Sequence, residues 1–583
     1  MKQMHKSTLA AAACLGCVLA ASPAVAGPDR AEDFGAFVQE RLAKDADKLF
    51  GIKKPLEASS IADVPRAPGQ RPEDLFDLAK GLKAEIFSRE VSDKSDQLAF
   101  WPNDERPTHI ITCVEEFGPE PIGSFENGTV KFTPGGQRID LKTREVETII
   151  RGTAGCDGVE RTPWGTVLFT EEDGRLGGDG HLGNAYEVLD PLAITNVRVH
   201  RGAERGVFSD ATGVVKSGAA AAAPVSQGGF GIALRDALPE MSWEGIAITE
   251  QGVLIAGDEL RPGSRTSGGG RAIGGQDTDG GAIFKFVPSL PRMPGSGDIS
   301  SLAESPFAMG SLYAARVDCR ESTSGSFPQY GQGCQKGNAG WVQVNATTAR
   351  ADANAFGATG YYRPEDLDPD PNYAGEGIRF CWANTGRARA FNFGEVLCAV
   401  DTDPAFANTE LVFDEDTGSM RTAGAPVNVQ VFVAGDGQLN QPDNVAFQAA
   451  SDNVYVLEDN SNGDIFACLP DGDDRDTLSD GCVLILTLKD PTAEPTGFMF
   501  TADNKSAFFF VQHSADDNDP LVRSRSCNDA IPEFTVDDYC TDDMILVSGF
   551  DLDKVRRGRD DDDDDKGRRG HGRDDDDKGR RRD

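Results

Sequence analysis

Short apolar runs that end in neighbouring carboxylates recur along this chain. "THIITCVEEF" leads into Glu115 and Glu116, "TVLFTEED" into Glu171 and Glu172, "GVLIAGDE" into Asp258 and Glu259, and "NVYVLEDN" into Glu458 and Asp459. Further runs of strand character, "AIFKFV", "SLYAARV", "CVLILTL" and "SAFFFVQH", are separated by Gly, Asp and Asn turns. With 66 Gly and 32 Pro there is no room for alternating long helices. The pattern predicts an all-β, closed or radial architecture. A β-propeller is its natural form, because a propeller gathers equivalent strand ends from every blade around one mouth. One helix is expected near the start, from the spacing of Phe34, Phe37, Val38 and Leu42.

Several carboxylates facing one mouth cannot all stay ionised unaided. Two unit charges about 4 Å apart repel by roughly 4 kcal/mol even at an effective dielectric near 20. Hard cations with oxygen ligands are the expected neutralisers, Ca²⁺ and Fe³⁺ among them. The histidines at 109, 181, 200 and 513 are too scattered for a motif such as HExxH, and neither a GxSxG elbow nor a P-loop occurs.

The net charge of −37 argues against nucleic acid or an anionic membrane as partner. The first 26 residues carry Lys2 and Lys6, an apolar stretch and a small-residue site ending at Ala26, which reads as a secretory signal. No later run is long enough to span a bilayer, so the expectation is an exported monomer, periplasmic or extracellular. Residues 27–77 are read as a helical and extended lead-in, 78–552 as the propeller, and 553–583 as a disordered tail. That tail repeats a "GRDDDD…KGRR" unit and has almost nothing apolar to bury.

Ten cysteines follow the signal. Eight stand as near neighbours, Cys319 with Cys334, Cys381 with Cys398, Cys468 with Cys482 and Cys527 with Cys540, as expected of local disulfides in an exported protein. Cys113 and Cys156 are left over, as a fifth pair or for another use.

"TPWGTVLFTEE", from Thr162, resembles the signature of PhoX-type alkaline phosphatases. The likeness extends through "GGAIFKFVP", "GSLYAARVD", "YRPEDLD", "PDNVAF" and "EPTGFMFTADNKSAFFFVQH". The resemblance implies six blades, phosphomonoesterase activity on small phosphate esters, and a central Ca²⁺ and Fe³⁺ cluster. Carried over by motif, the ligands would be Glu172, Glu244 of "SWEGIA", Glu365, Asp443 and Cys156, with Arg363 as phosphate clamp. Two departures stand out. Trp243 occupies the family's His position, and the N-terminus lacks the family's twin arginines. A calcium-dependent lactonase and a non-catalytic, calcium-stabilised surface protein are the alternative readings.

Overall fold

The computed structural model describes residues 34–64, 70–116, 121–173, 181–262, 280–317, 335–407, 411–414, 419–422, 427–470, 481–513 and 541–555. The signal, the tail, the acidic loop at 471–480 and the cysteine pairs 319/334 and 527/540 lie outside these residues.

Among the described residues six blades follow one another, each led by an inner strand and antiparallel except where Val197–Val199 pairs parallel with Val146–Arg151 in the first. The inner strands are Ser95–Trp101, Cys156–Arg161, Trp243–Ile248, Pro364–Pro369, Pro442–Gln448 and Glu494–Phe500. Each touches the next, and the sixth touches the first, so the ring is closed. The third and fourth blades fuse at their outer edges, where Gly337–Val344 pairs with Val427–Ala434. The fifth blade gains an outer strand from far upstream, Phe76–Leu78 against Cys482–Leu488. The sixth is completed by Lys83–Ser92, which pairs with Thr541–Ser548. An all-β propeller-like fold, as the strand pattern predicts, is what the chain adopts.

Both faces of each blade are covered by neighbours, and this explains runs such as "CVLILTL" that are buried at every position and almost continuously apolar instead of alternating. Six core clusters result, each spanning the interface of two adjacent blades. Trp164 and Leu168 meet Trp243 and Ile246 between blades two and three, and Leu367 and Trp382 meet Ile255 between blades four and three.

The helix Phe34–Lys44 forms as expected, but its buried face is narrower than the spacing implies. Leu42 is buried with Ala46, Phe50 and Ile52 against blades five and six, and Val38 packs at the edge, whereas Phe37 is half exposed. Among the described residues no helix is long and apolar enough to cross a membrane.

Two disulfides clip hairpins within one blade: Cys381–Cys398 and Cys468–Cys482 join directly opposed strand positions. Cys113–Cys156 instead ties the second strand of blade one to the inner strand of blade two. Three disulfides fit an oxidising compartment.

Candidate metal centre and mouth

Every inner strand carries a bulge, and the bulge builds the site. Between Ser95 and Leu98 the inner strand spends one residue more than its partner, and the same shift recurs after Cys156, Trp243, Pro364, Pro442 and Thr496. A bulge leaves a residue unpaired and re-aims its side chain. The first residue of the bulge is Asp96, Asp157, Glu244, Glu365 and Asp443 in blades one to five. In blade six it is Gly497, whose added Cβ would lie 2.7 Å from the Asp96 carbonyl oxygen. Five carboxylates therefore occupy one level of the central channel, and the sixth place is filled by neighbouring backbone.

A second tier comes from the residue just beyond each second strand, because that strand ends where the inner one begins. These residues are Glu115, Glu172, Glu259, Thr385, Asp459 and His513. Of the strand-final residues before them, Glu171 and Asp258 turn away from the channel, whereas Gln512 reaches in and donates to Asp96 and Glu115. Glu171 is fully buried and accepts bonds from the backbone N–H of Ala154 and from both the backbone and side chain of Asn184. Asp258 is held by Arg350 and accepts from the Ser242 N–H. Of the carboxylate pairs legible in the sequence, the second member faces the mouth in blades two, three and five.

One residue below the ring, hydrogen bonds cross the channel. The Gln97 side-chain amide donates to Asp366 Oδ1 at 3.1 Å, joining the opposite blades one and four, and the Val445 N–H donates to Asp366 Oδ2 at 3.1 Å. Burial pushes the Asp366 carboxyl up to about 6.

Two trios have carboxylate oxygens within 4.8 Å of one another: Asp96, Glu115 and Asp157, and Asp157, Glu172 and Glu244. At that separation each ionised pair repels by about 3.5 kcal/mol at an effective dielectric near 20. Burial first, and then the neighbouring carboxylates, hold Asp96, Asp157, Glu172, Glu244 and Asp443 well above the usual carboxylate range. Glu365 is pushed up to about 8 by burial, although Arg363 opposes it. Glu494 rises to about 7 through burial and Asp459, with His513 Nε2 lying 3.2 Å from its Oε1.

The donor set fits a hard cation. Its oxygens are carboxylates, and Asp96 Oδ1 and the nearby Gln512 Oε1 are buried acceptors without a hydrogen-bond partner in the protein. Buried acceptors in that state are costly unless something positive meets them.

Arg363 stands among these acids in a left-handed backbone conformation, φ 57°. Its Nε donates to Glu259 at 2.5 Å, its Nη1 to Asp459 at 3.1 Å, and its Nη2 pairs with Glu365 at 2.9 Å. A guanidinium has five N–H donors, so one on each terminal nitrogen remains. Burial opposes ionisation of Glu259, but Arg363 outweighs it and holds that carboxyl below its ordinary value.

The structure brings Glu172, Glu244, Glu365, Asp443 and Arg363 to one mouth. It corrects Cys156. That sulfur is bonded to Cys113 at 2.05 Å, so it is not the free thiolate a ligand role requires. The bond instead braces two trio members, since Cys113 lies two residues before Glu115 and Cys156 directly precedes Asp157. Sequence reasoning missed Asp96 and Asp157. Their signal is the recurring triplet of a small or apolar residue, an acid, and Gly, Asn, Asp or Gln: "SDQ", "CDG", "WEG", "PED" and "PDN". The "TPWGT" residues lie at the other end of their blade. There Thr162 and Thr166 close a tight turn, Gly165 takes φ 76°, and buried Trp164 donates to Glu187 at 2.9 Å. Strand length puts that turn roughly 15–20 Å from the ring.

Residues 268–515 match the family model described as alkaline phosphatase PhoX, and the resemblance read from the sequence holds over that span. No curated protein matches the chain. Among solved structures, the chain is similar to Pseudomonas fluorescens PhoX in complex with vanadate, a transition state analogue. The two are 15% identical at a TM-score of 0.47, covering 85% of this chain and 99% of that one. It is also similar to the Xanthomonas campestris gluconolactonase XC5397, at 11% identity and TM-score 0.33 over 84% and 96%. A third similar structure is the PQQ-bound aldose sugar dehydrogenase of Streptomyces coelicolor, at 9% and 0.35 over 81% and 99%. All three lie below a TM-score of 0.5 and 25% identity, a likeness too loose to carry a function.

Proposed function

We propose that this chain, with its match to the alkaline phosphatase PhoX family, is an exported phosphatase. In this reading it hydrolyses phosphate monoesters at the carboxylate mouth, with Ca²⁺ and Fe³⁺ as resident ions. The observation that carries the reading is the convergence of five bulge carboxylates from five successive blades on a tethered arginine with donors to spare.

Asp96, Glu115 and Asp157 would hold one ion, and Glu172, Glu244 and the shared Asp157 a second, with Glu365 and Asp443 completing the ring. Bound there, the cations would neutralise the acids, polarise phosphoryl oxygens and lower the pKa of an attacking oxygen species. Arg363 receives the ester. Its two remaining N–H groups, one on each terminal nitrogen, suit two oxygens of one phosphoryl group, a fork that a lysine cannot reproduce. Glu259, Glu365 and Asp459 fix that fork on three sides, so little rotamer freedom remains to be lost when the ester arrives. His513, whose Nε2 lies 3.2 Å from Glu494 Oε1, supplies an imidazole that can pass a proton to the departing oxygen.

The test is metal analysis of the purified protein beside p-nitrophenyl phosphate hydrolysis. Calcium and iron should be found, chelation should abolish turnover, and both ions together should restore it. Full activity after exhaustive chelation would refute the reading. Metal binding with no ester turnover would favour a calcium-stabilised surface protein, and lactone opening without phosphate release would favour a lactonase.

A further inference from the structure

Beside Arg363 the loop from Thr385 to Gly394 joins two strands of blade four on the mouth face, and it presents an unusual tip. Phe391 is 87% exposed and takes φ 60°, a conformation a bulky side chain adopts only when its surroundings enforce it. Arg387 and Arg389, on the same short loop, are also exposed.

The loop is held firmly for an exposed element. The Arg387 N–H donates to the Asn392 carbonyl at 2.8 Å and the Phe391 N–H to the Ala388 carbonyl at 2.9 Å. Outward tethers reach the site itself. The Gly386 N–H donates to the Tyr362 carbonyl at 3.1 Å, and the Ala388 N–H to Gln441 Oε1 at 3.2 Å. The Gln441 side-chain amide in turn donates to the carbonyl of Asp459, whose carboxylate binds Arg363. Backbone strain, an aromatic ring in solvent and two cations thus share a loop whose base is bonded to the clamp's own segment, where the Thr385 N–H donates to the Arg363 carbonyl at 3.0 Å. A single exposed phenylalanine is ordinary. One in the left-handed region, at the tip of a loop tethered to the clamp's segment, is not explained by packing, because its ring packs on little.

We propose that this loop is a platform for the leaving group, and that the preferred substrates are phosphomonoesters of planar aromatic alcohols and nucleosides, such as nucleoside monophosphates. The inference rests on the phosphatase reading of the mouth and adds the part of the ester that reading leaves open. Phe391 offers a face on which a base can stack, and Arg387 and Arg389 add cation–π contact and attraction for the ester's charge. Stacking a base on an aromatic side chain typically changes affinity by about tenfold or more.

The test compares adenosine 5′-monophosphate with glycerol 1-phosphate on the metal-replete protein and on Phe391→Ala and Phe391→Trp variants. Because the ring is exposed, both variants should keep the wild-type thermal midpoint. Phe391→Ala should raise KM for the nucleotide about tenfold with kcat nearly unchanged. It should leave glycerol phosphate unaffected, and Phe391→Trp should retain the nucleotide preference. Adenosine, which has no phosphate, should bind the wild type and not Phe391→Ala in calorimetry. Equal KM values for the nucleotide in wild type and Phe391→Ala, or equal adenosine binding, would overturn the proposal while leaving phosphatase activity in place. If neither ester is hydrolysed, the phosphatase reading fails instead, and adenosine binding alone still decides the platform.

Discussion

Replacing Cys113 and Cys156 with serine, singly and together, separates a structural bond from a metal ligand. The bond closes a loop of sequence separation 43. In the chain-entropy model that constraint removes about 13 cal/mol/K from the unfolded ensemble, or about 4 kcal/mol at 25 °C. A cooperative unit on the order of 450 residues has an unfolding entropy of about 1 kcal/mol/K, so the midpoint should fall by roughly 4 °C. The two single variants should fall alike, because each breaks the same bond. Calorimetry gives the midpoints, and elemental analysis of the same samples gives bound calcium and iron. Both single variants should keep the same metal content as each other. Iron lost from Cys156→Ser but retained in Cys113→Ser would refute the argument and restore a thiolate ligand.

The other tests address charge, clamp and packing. Glu365, pushed up to about 8, and Glu494, pushed up to about 7, sit above their unfolded values, so their contribution to metal-free stability is full below about pH 4.5 and is lost as pH rises through 7 and 8. Chelated protein should therefore melt lower at pH 9 than at pH 6, and a flat profile in a melting series would contradict the burial argument. Arg363→Lys should lower kcat/KM by about 10²–10³ while metal content holds, since it removes a two-pronged donor and keeps a charge; unchanged steady-state kinetics would take the arginine out of the mechanism. Asp157→Asn should release more metal than any other ring substitution, because Asp157 belongs to both trios; wild-type stoichiometry by mass spectrometry would show that it is not shared. Gly245→Ala places a Cβ 1.7 Å from the Leu367 backbone nitrogen, so it should cost about 3 kcal/mol or more, and a wild-type denaturation midpoint would refute that close approach.

Architecture was legible because strand ends repeat. Runs such as Thr166–Thr170 and Asn453–Leu457 announce themselves by composition, and the acids behind them mark one face of the ring. What stayed hidden depends on pairing. Asp96 and Asp157 are one residue out of step with an ordinary strand, and a bulge is visible only when the partner strand is known. The same limit affected the cysteines. Cys381 with Cys398 follows from closeness in sequence, whereas Cys113 with Cys156, one of two readings open from the sequence, joins different blades and is decided only in the assembled ring. Phe37 reads as core by spacing, yet the surface receiving its helix extends only as far as Leu42 and Val38. "TPWGT", the most recognisable motif, proved to be a turn remote from the acids, with its side chains spent on Glu187 and on packing.

Lys83 is hydrogen-bonded in register with Ser548, so a strand near the beginning of the chain completes the last blade. An emerging polypeptide can zip up its middle blades one after another, but it cannot shut the circle until nearly everything has been synthesised and delivered. The trio of Asp96, Glu115 and Asp157 abuts the seam between last and first blades, where Gly497 presses on Asp96. If an ion sits at that trio, its surroundings are complete only after ring closure, because Gln512 of the last blade donates to Asp96 and Glu115. Cation availability in the compartment where closure takes place would then bear on which ions are taken up there.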